Sequence, residues 1–472
     1  MGKRAGETAG QDTATRKRKR KSTDDATGAA ICDDVVDDIF ARLPTRAAVA
    51  SMVLSKHHRR LICSPEFRSL HFRLSPPAPL PHPHIAYVAT VSTFHSFHVA
   101  GGGIKSSNSP MRTLPDERYF EMKYVNTCNG VVLLAGPSKP PTTCVLWNPA
   151  VADDEKKVTI PTVDTSHYQS QLWPYESPGD YRVSILGLGY GRRTKAYKLL
   201  LLLWEKPRVI RISAHPILAY CKELLVYTLG TVGEQPRRVT LLEQGLYGGI
   251  NQDTLYINGT IYFPFGNSEI LAFNVDDEEV TRIDEPGSKS NRFQNPAPFE
   301  LVEMSNRPCL VKNNGRNVSL WLLTEDHMWE QRCVFKVDKY LSYPQTRVVW
   351  NCSGALVLYL YDYYGDVNLF SYDVATKKLL KENLSYHSMP EVSDYALCWG
   401  YMPTLVSPGS IVGELSPDED GRCSRIRMVG ISGKPDNEQD RKNWQMTALN
   451  TIRFMESLIP ILEKLSKTQD AV

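Results

Sequence analysis

The chain has 472 residues, of which 42% are hydrophobic and 23% charged, the balance of a globular protein with a core to bury. At about 150 residues per domain that length allows three units, or fewer and larger β-rich ones. The formal net charge is +3, yet residues 1–30 alone hold eight Lys/Arg against four Asp/Glu; the remainder is near neutral and offers no basic face for specific binding of nucleic acid.

No run approaches the ~18 apolar residues of a membrane span, and the basic, polar start lacks the apolar segment of a secretory leader. The ten cysteines contain no CxxC pair, so they read as reduced thiols packed as small apolar groups. Residues 1–29 are too poor in apolar groups to fold and are expected to form a disordered basic tail. Within them Arg16, Lys17, Arg18, Lys19, Arg20 and Lys21 form one basic run, and Lys3 with Arg4 a second. The two-part spacing suits the acidic grooves of nuclear import receptors, which makes an importin a partner and the nucleus the location, with the cytoplasm as a further one. A solvated tail, or weak RNA contact, is the plainer alternative.

Residues 30–74 read as short helices. Ile31, Val35, Ile39 and Leu43 recur at every fourth position, while Asp33, Asp34, Asp37 and Asp38 take the other face. Pro44 ends this helix and Thr45 can cap the next. A second short helix carries Val49, Met52 and Val53, a third runs through Leu61 and Ile62, and Ser64-Pro65 opens a last turn with Phe67 and Leu70. So few residues make a small core, and a module of this size leans on a partner for stability.

Residues 75–84 form a stiff linker around Pro76, Pro77, Pro79, Pro81 and Pro83, expected to separate the helical core from a β-rich one. Residues 85–433 are a succession of short β-type runs, among them Val131–Leu134, Val183–Leu188, Lys198–Trp204, Leu224–Leu229, Ile270–Val275, Val318–Leu323 and Leu356–Tyr361. Thr254–Phe265 reads as a hairpin around Asn258-Gly259. A loose repeat places an aromatic before Asn or Asp at Trp147-Asn148, Phe273-Asn274 and Tyr372-Asp373. The aromatic would fill the space between neighbouring sheets and the polar residue would satisfy turn backbone. Roughly two dozen strands at four per blade predict a mainly β fold, a β-propeller of about six blades; a pair of two-sheet sandwiches is the alternative. Residues 434–472 read as a polar loop, then an amphipathic helix through Leu449, Ile452, Met455, Leu458, Ile459, Leu462 and Leu465, interrupted at Pro460.

Catalytic signatures are missing: no HExxH, no GxSxG and no phosphate-binding loop ending in Gly-Lys-Ser/Thr. Gly187, Gly189 and Gly191 lie among strands, where close turns explain them better than a nucleotide loop. His82, His84, His95 and His98 lack the spacing and the cysteines of a zinc site. Cys128 and Cys352 read as packed thiols rather than nucleophiles. No cofactor is implied.

The helical segment resembles an F-box. Ile31-Cys32-Asp33-Asp34, Ile39-Phe40-Ala41-Arg42-Leu43-Pro44, Leu54-Ser55-Lys56-His57-His58-Arg59-Arg60-Leu61 and Ser64-Pro65-Glu66-Phe67 fall at that family's offsets, with Cys32 at its opening proline and His58 at its tryptophan. The β part resembles the kelch-like associated domain of plant F-box proteins: Cys128-Asn129-Gly130-Val131-Val132, Leu146-Trp147-Asn148-Pro149, Leu188-Gly189-Tyr190-Gly191, Tyr197-Lys198, Asn258-Gly259-Thr260-Ile261-Tyr262, Leu271-Ala272-Phe273 and Leu320-Trp321 keep the family's order. The resemblance implies the non-catalytic substrate-recognition subunit of a Skp-cullin-F-box ubiquitin ligase. Ile31, Val35, Ile39, Leu43, Pro44, Val49, Leu54, His58 and Leu61 would dock the Skp-type adaptor, and through it a cullin, while the β domain holds an unknown target protein. Leu43 and Pro44 are expected near the centre of that contact. Two alternatives stand beside it: a propeller scaffold acting outside the ligase, and a propeller enzyme on small molecules, which needs acidic groups around a central channel.

Overall fold

A computed structural model describes residues 33–74, 84–413 and 438–469, except 92–93, 102–111, 115–120, 139, 152–154, 166–180, 206–219, 242–253, 266–268, 287–298, 314–316, 337–345, 353–354, 362–366, 374–375, 377, 383–389 and 391–393. The basic residues from Lys3 to Lys21, Ile31, the prolines of the linker and His82 lie outside the described residues.

Short apolar runs bounded by turn residues become 24 strands among the described residues, arranged in six four-stranded antiparallel sheets. β1 (Ile85–Val91), β2 (Phe94–Ala100) and β3 (Arg112–Leu114) form the first, which β24 (Tyr395–Leu397) completes from the far end of the chain. The others are consecutive: β4 (Lys123–Cys128) to β7 (Glu155–Thr159), β8 (Tyr181–Tyr190) to β11 (Arg237–Leu241), β12 (Leu255–Ile257) to β15 (Glu279–Asp284), β16 (Phe299–Met304) to β19 (Trp329–Lys336), and β20 (Thr346–Cys352) to β23 (Lys378–Glu382). The arrangement is a β-propeller, and the protein is mainly β.

Each sheet shares a hydrophobic cluster with the next, which explains the strand sequences. In β9 (Tyr197–Glu205), Leu199, Leu201 and Leu203 pack toward the second sheet while Leu200 and Leu202 pack toward the fourth. A strand buried on both faces must read as a continuous apolar run. First strands meet one another, β4 against β8, β8 against β12, β12 against β16 and β16 against β20. Asn126 ties β4 to β8, its Nδ2 donating to the Leu188 carbonyl (2.9 Å) and its Oδ1 accepting from the Leu188 N–H (3.0 Å). Last strands such as β7 and β15 alternate charged, exposed residues with single buried ones, which protects free edges from pairing with other chains.

The aromatic repeat marks equivalent positions. Trp147 ends β6 (Thr143–Trp147), and Phe273 and Tyr372 lie next to last in β14 (Glu269–Asn274) and β22 (Val367–Asp373). Each is in the third strand of a different sheet. All three are buried between neighbouring sheets, Trp147 between first and second, Phe273 between third and fourth, Tyr372 between fifth and sixth. The following polar residue accepts from turn N–H groups in every case: Ala150 N to Asn148 Oδ1 (3.0 Å), Asp276 N to Asn274 Oδ1 (2.9 Å), Thr376 N to Asp373 Oδ1 (3.3 Å). The expected hairpin at Asn258-Gly259 has both residues at positive φ, 51° and 89°, the backbone a tight two-residue turn requires.

Gly187 and Gly189 correct the expectation of close turns. Both lie inside β8, where the fourth sheet crowds them: a Cβ on Gly189 would sit 2.5 Å from Val275 Cγ2 and 3.0 Å from Ile261 Cδ1. Gly189→Ala is therefore expected to overpack this seam at a cost of about 1–3 kcal/mol, read as a lower denaturant midpoint with unchanged slope; an unchanged midpoint would show that the sheets can part freely.

Among the described residues the helices are α1 (Asp33–Ala41), α2 (Thr45–Ser51), α3 (Lys56–Cys63), α4 (Pro65–Leu74), α5 (Pro408–Val412) and α6 (Glu438–Gln469). The closing turn expected at Ser64-Pro65 is a ten-residue helix: proline suits a first helical turn, and Ser64 Oγ accepts from the Phe67 N–H (3.2 Å). Thr45 does not cap α2; its hydroxyl donates to the Pro403 carbonyl (2.9 Å). α6 begins within the expected loop and continues through Pro460.

Candidate functional site

The apolar side chains of the helical module have two different fates. Ala41, Ala48, Ile62 and Phe67 are buried in one cluster with Val151 and Leu405 of the β domain. The linker therefore does not separate two cores, and the support a small module needs comes from its own chain. Phe40, Leu43, Val49, Met52, Leu61, Leu70 and Leu74 are partly buried around that cluster. His71 closes the module: its Nε2–H donates to the Leu43 carbonyl (2.9 Å), and burial lowers its pKa because the charged ring would lose its hydration. Ser55 caps α3 by accepting from the His58 N–H (3.2 Å), and its hydroxyl lies 2.6 Å from His58 Nδ1. The His58 ring packs 5.0 Å from Phe40, which brings the start of α3 against the end of α1.

Other apolar side chains of the module are open to solvent. Eight large apolar side chains are exposed among the described residues, and four of them, Val35, Ile39, Val53 and Leu54, fall between residues 35 and 54. Val35 and Ile39 are 50% and 52% exposed and share one side of α1 by their i, i+4 spacing. Leu54 is 65% and Val53 86% exposed, in the turn between α2 and the Ser55 cap. Scattered exposed apolar groups are ordinary, but half of those among the described residues fall within this one small module. The nearby Arg42–Asp38 pair (2.9 Å) is solvent-exposed and contributes little stability.

Of the residues expected to dock a partner, Val35, Ile39, Pro44 and Leu54 face solvent. His58 is half-buried, and Leu43, Val49 and Leu61 spend part of their surface in the module's own core. Sequence reasoning missed the anchoring of Thr45, the closure by His71 and the outward position of Val53. An apolar Met52-Val53-Leu54 directly before a helix cap was the signal available for Val53, since a turn cannot bury three such residues.

Several titratable groups of the β domain tie its parts together. Desolvation alone would raise Asp276, but the Arg193 and Thr194 N–H groups and the Thr194 hydroxyl, with the Arg193 charge, hold its carboxyl down to about 2. This pins the β8–β9 turn to the fourth sheet. Buried Lys198 meets Glu278 (2.8 Å) and the Val275 carbonyl (2.7 Å). Burial pushes the Cys128 thiol well up, and those of Cys144, Cys309 and Cys398 to about 12; such thiols carry almost no thiolate at neutral pH. His98 stacks on Tyr87 at 5.1 Å beside the Ser96 hydroxyl (2.8 Å). Among the described residues no group of three His, Cys, Asp or Glu is placed to hold a metal ion, and no helix is long and apolar enough to cross a membrane.

No family model matches the chain, and no curated protein does. Solved structures that resemble it include an uncharacterized protein of Listeria monocytogenes (8% identity, TM-score 0.32, 66% of this chain and 84% of that one). Others are the Aleuria aurantia lectin bound to Fucα1-6GlcNAc (10%, 0.33, 65% and 93%) and the periplasmic gluconolactonase of Pseudomonas aeruginosa (6%, 0.33, 64% and 95%). Likenesses this distant carry no argument about ligand or activity.

Burial also sets an expected response to acid. It pushes His98 down to about 4, so between pH 6.5 and 4 the unfolded chain binds a proton that the folded chain refuses, and stability falls with pH. At about 1.4 kcal/mol per unit, the loss from His98 is about 3 kcal/mol by pH 4, and His71 acts in the same direction. Urea denaturation of the parent and His98→Gln at pH 7 and 4.5 tests this: the parent should lose more stability on acidification than the variant, and parallel losses would contradict the assignment.

Proposed function

We propose that the chain is the substrate-recognition subunit of a Skp-cullin-F-box ubiquitin ligase. The helical module is the F-box, and the six sheets are six blades of one closed ring that holds the target protein. The observation that carries this reading is the split among the helices' apolar side chains: Ala41, Ala48, Ile62 and Phe67 are buried with Val151 and Leu405, while Val35, Ile39, Val53 and Leu54 are exposed. That is the distribution expected of a small module fixed to its own β domain and waiting for an apolar partner. The protein supplies proximity and orientation, and the reacting groups belong to the cullin-bound conjugating enzyme. Co-purification tests it: the full chain should capture a Skp-type adaptor, and a chain that captures none acts outside the ligase.

The nuclear assignment is part of the same proposal. Replacing Arg16, Lys17, Arg18, Lys19, Arg20 and Lys21 with alanine removes six positive charges from a segment too polar to add to a core. A reporter fusion of the full chain should move from nucleus to cytosol with its melting temperature unchanged. Undiminished nuclear accumulation would exclude this run as the import signal.

A further inference from the structure

After β24 the chain makes a detour. Residues 398–413 cross the end of the sheets that carries the Asn129-Gly130 turn. Trp399 packs beside the clusters on both sides of the fifth sheet, and Tyr401 is buried between the first and second, 4.6 Å from Phe97. Asn148 Nδ2 donates to the carbonyls of Thr404 (2.9 Å) and Val406 (2.7 Å), and Thr404 Oγ1 donates to the Asn129 carbonyl (2.6 Å). Ile411 of α5 enters the cluster between the second and third sheets. The approach is close: a Cβ on Gly130 would sit 2.5 Å from the Met402 carbonyl oxygen, and one on Gly230 2.8 Å from that of Ile411.

The same strap also holds the helices. Pro403 accepts the Thr45 hydroxyl (2.9 Å), and Leu405 is buried among Ala41, Ala48, Ile62 and Phe67. Phe72 of α4 meets Tyr190 of the third sheet edge-on at 5.8 Å. A module tied to the sheets by its linker alone would sample many orientations, at a range set by linker length. Here one segment is bonded both to the sheets and to the helices.

We propose that residues 398–413 are a clasp that fixes one orientation of the helical module on the propeller, with Thr45 and Leu405 as positioning residues. The clasp itself is independent of the ligase reading. Its consequence, presentation of a bound target at one distance from the adaptor, rests on that reading, because proximity speeds transfer only where the geometry is held.

Double electron–electron resonance on the full chain tests it, with spin labels carried by unnatural amino acids at Ser69 on α4 and Val232 in the turn before β11, both exposed. The parent should give one narrow distance distribution. Leu405→Asp, which places a charge in the shared cluster, should broaden it. A Thr45→Val, Phe72→Ala pair, whose residues lie on the helical side, repeats the test should Leu405→Asp fail to fold, and restoring a hydroxyl as Thr45→Ser in that pair should narrow the distribution again. A broad distribution in the parent, or a narrow one unmoved in the variants, overturns the clasp. Pull-down of a Skp-type adaptor by the parent separates the two ideas: a narrow distribution without adaptor binding leaves the clasp standing and removes the ligase.

Discussion

Val35→Ala combined with Ile39→Ala should weaken capture of a Skp-type adaptor by about a hundredfold and leave folding intact. Both side chains are half exposed on the outer side of α1 and do not belong to the buried cluster that seats the helices on the sheets. Alanine has the higher helix propensity of the exchanged residues, so α1 is not weakened. Val35 and Ile39 flank the expected centre at Leu43 and Pro44, where truncating a contributing interface residue costs ~1–2 kcal/mol; two losses of ~1.4 kcal/mol, tenfold each, give about a hundredfold. Leu43 is the poorer test position, although its place in the Arg-Leu-Pro signature draws attention to it. It is partly buried in the module's core and its carbonyl receives His71, so truncation there would mix docking with folding. The measurement is quantitative pull-down or calorimetric titration of parent and double variant, with thermal melting as control. Equal affinities would move the docking surface elsewhere, and a parent that binds no adaptor would leave the exposed patch to a different partner.

How much of this was legible depended on how local the governing physics is. The Trp147-Asn148, Phe273-Asn274 and Tyr372-Asp373 pairs were readable because both jobs are short-range: the Asn or Asp side chain bonds an N–H two or three residues ahead, and the aromatic needs only a sheet beside it. The hairpin at Asn258-Gly259 was readable for the same reason. Gly187 and Gly189 were misread because what forbids a side chain there is Ile261 and Val275 of the next sheet, and no local pattern announces a neighbour seventy residues away. The strap was invisible for the same cause: Asn148 reads as a turn residue whether or not its amide also reaches Thr404 and Val406. The candidate site lies between these cases. Fourfold spacing placed Val35 and Ile39 on one side of a helix, but which side faces solvent was decided by Val151 and Leu405, two unremarkable apolar residues of the β domain.

The largest effect on stability is expected at α6. Phe454, Met455, Leu458, Ile459 and Leu462 are buried in the cluster between the first and sixth sheets, together with Ile85, Tyr87, Tyr395, Val357 and Leu369. At the other seams the apolar faces of two sheets meet; here a helix fills the gap. The strand that completes the first sheet is short: among the described residues β24 pairs β1 at Tyr87–Leu397, Val88–Ala396 and Ala89–Tyr395, and the Cys398 N–H donates to the Ala86 carbonyl (2.9 Å) just beyond it. So short a ladder leaves the helix much of the cohesion where the two ends of the β domain meet. Leu458, fully buried, should cost about 2–5 kcal/mol when cut to alanine, a large share of the roughly 5–15 kcal/mol that separates folded from unfolded domains. Ending the chain at residue 437 removes all five side chains and exposes the rest of the cluster, and that shortened protein should aggregate or bind a hydrophobic dye rather than melt cooperatively. Arg453→Gln, on a solvent-facing position of the same helix, should stay within about 0.5 kcal/mol of the parent. Urea denaturation of Leu458→Ala beside Arg453→Gln measures the difference. A loss below about 1 kcal/mol for Leu458→Ala would mean that the first and sixth sheets hold together without the helix, and that α6 rests on the seam rather than forming it.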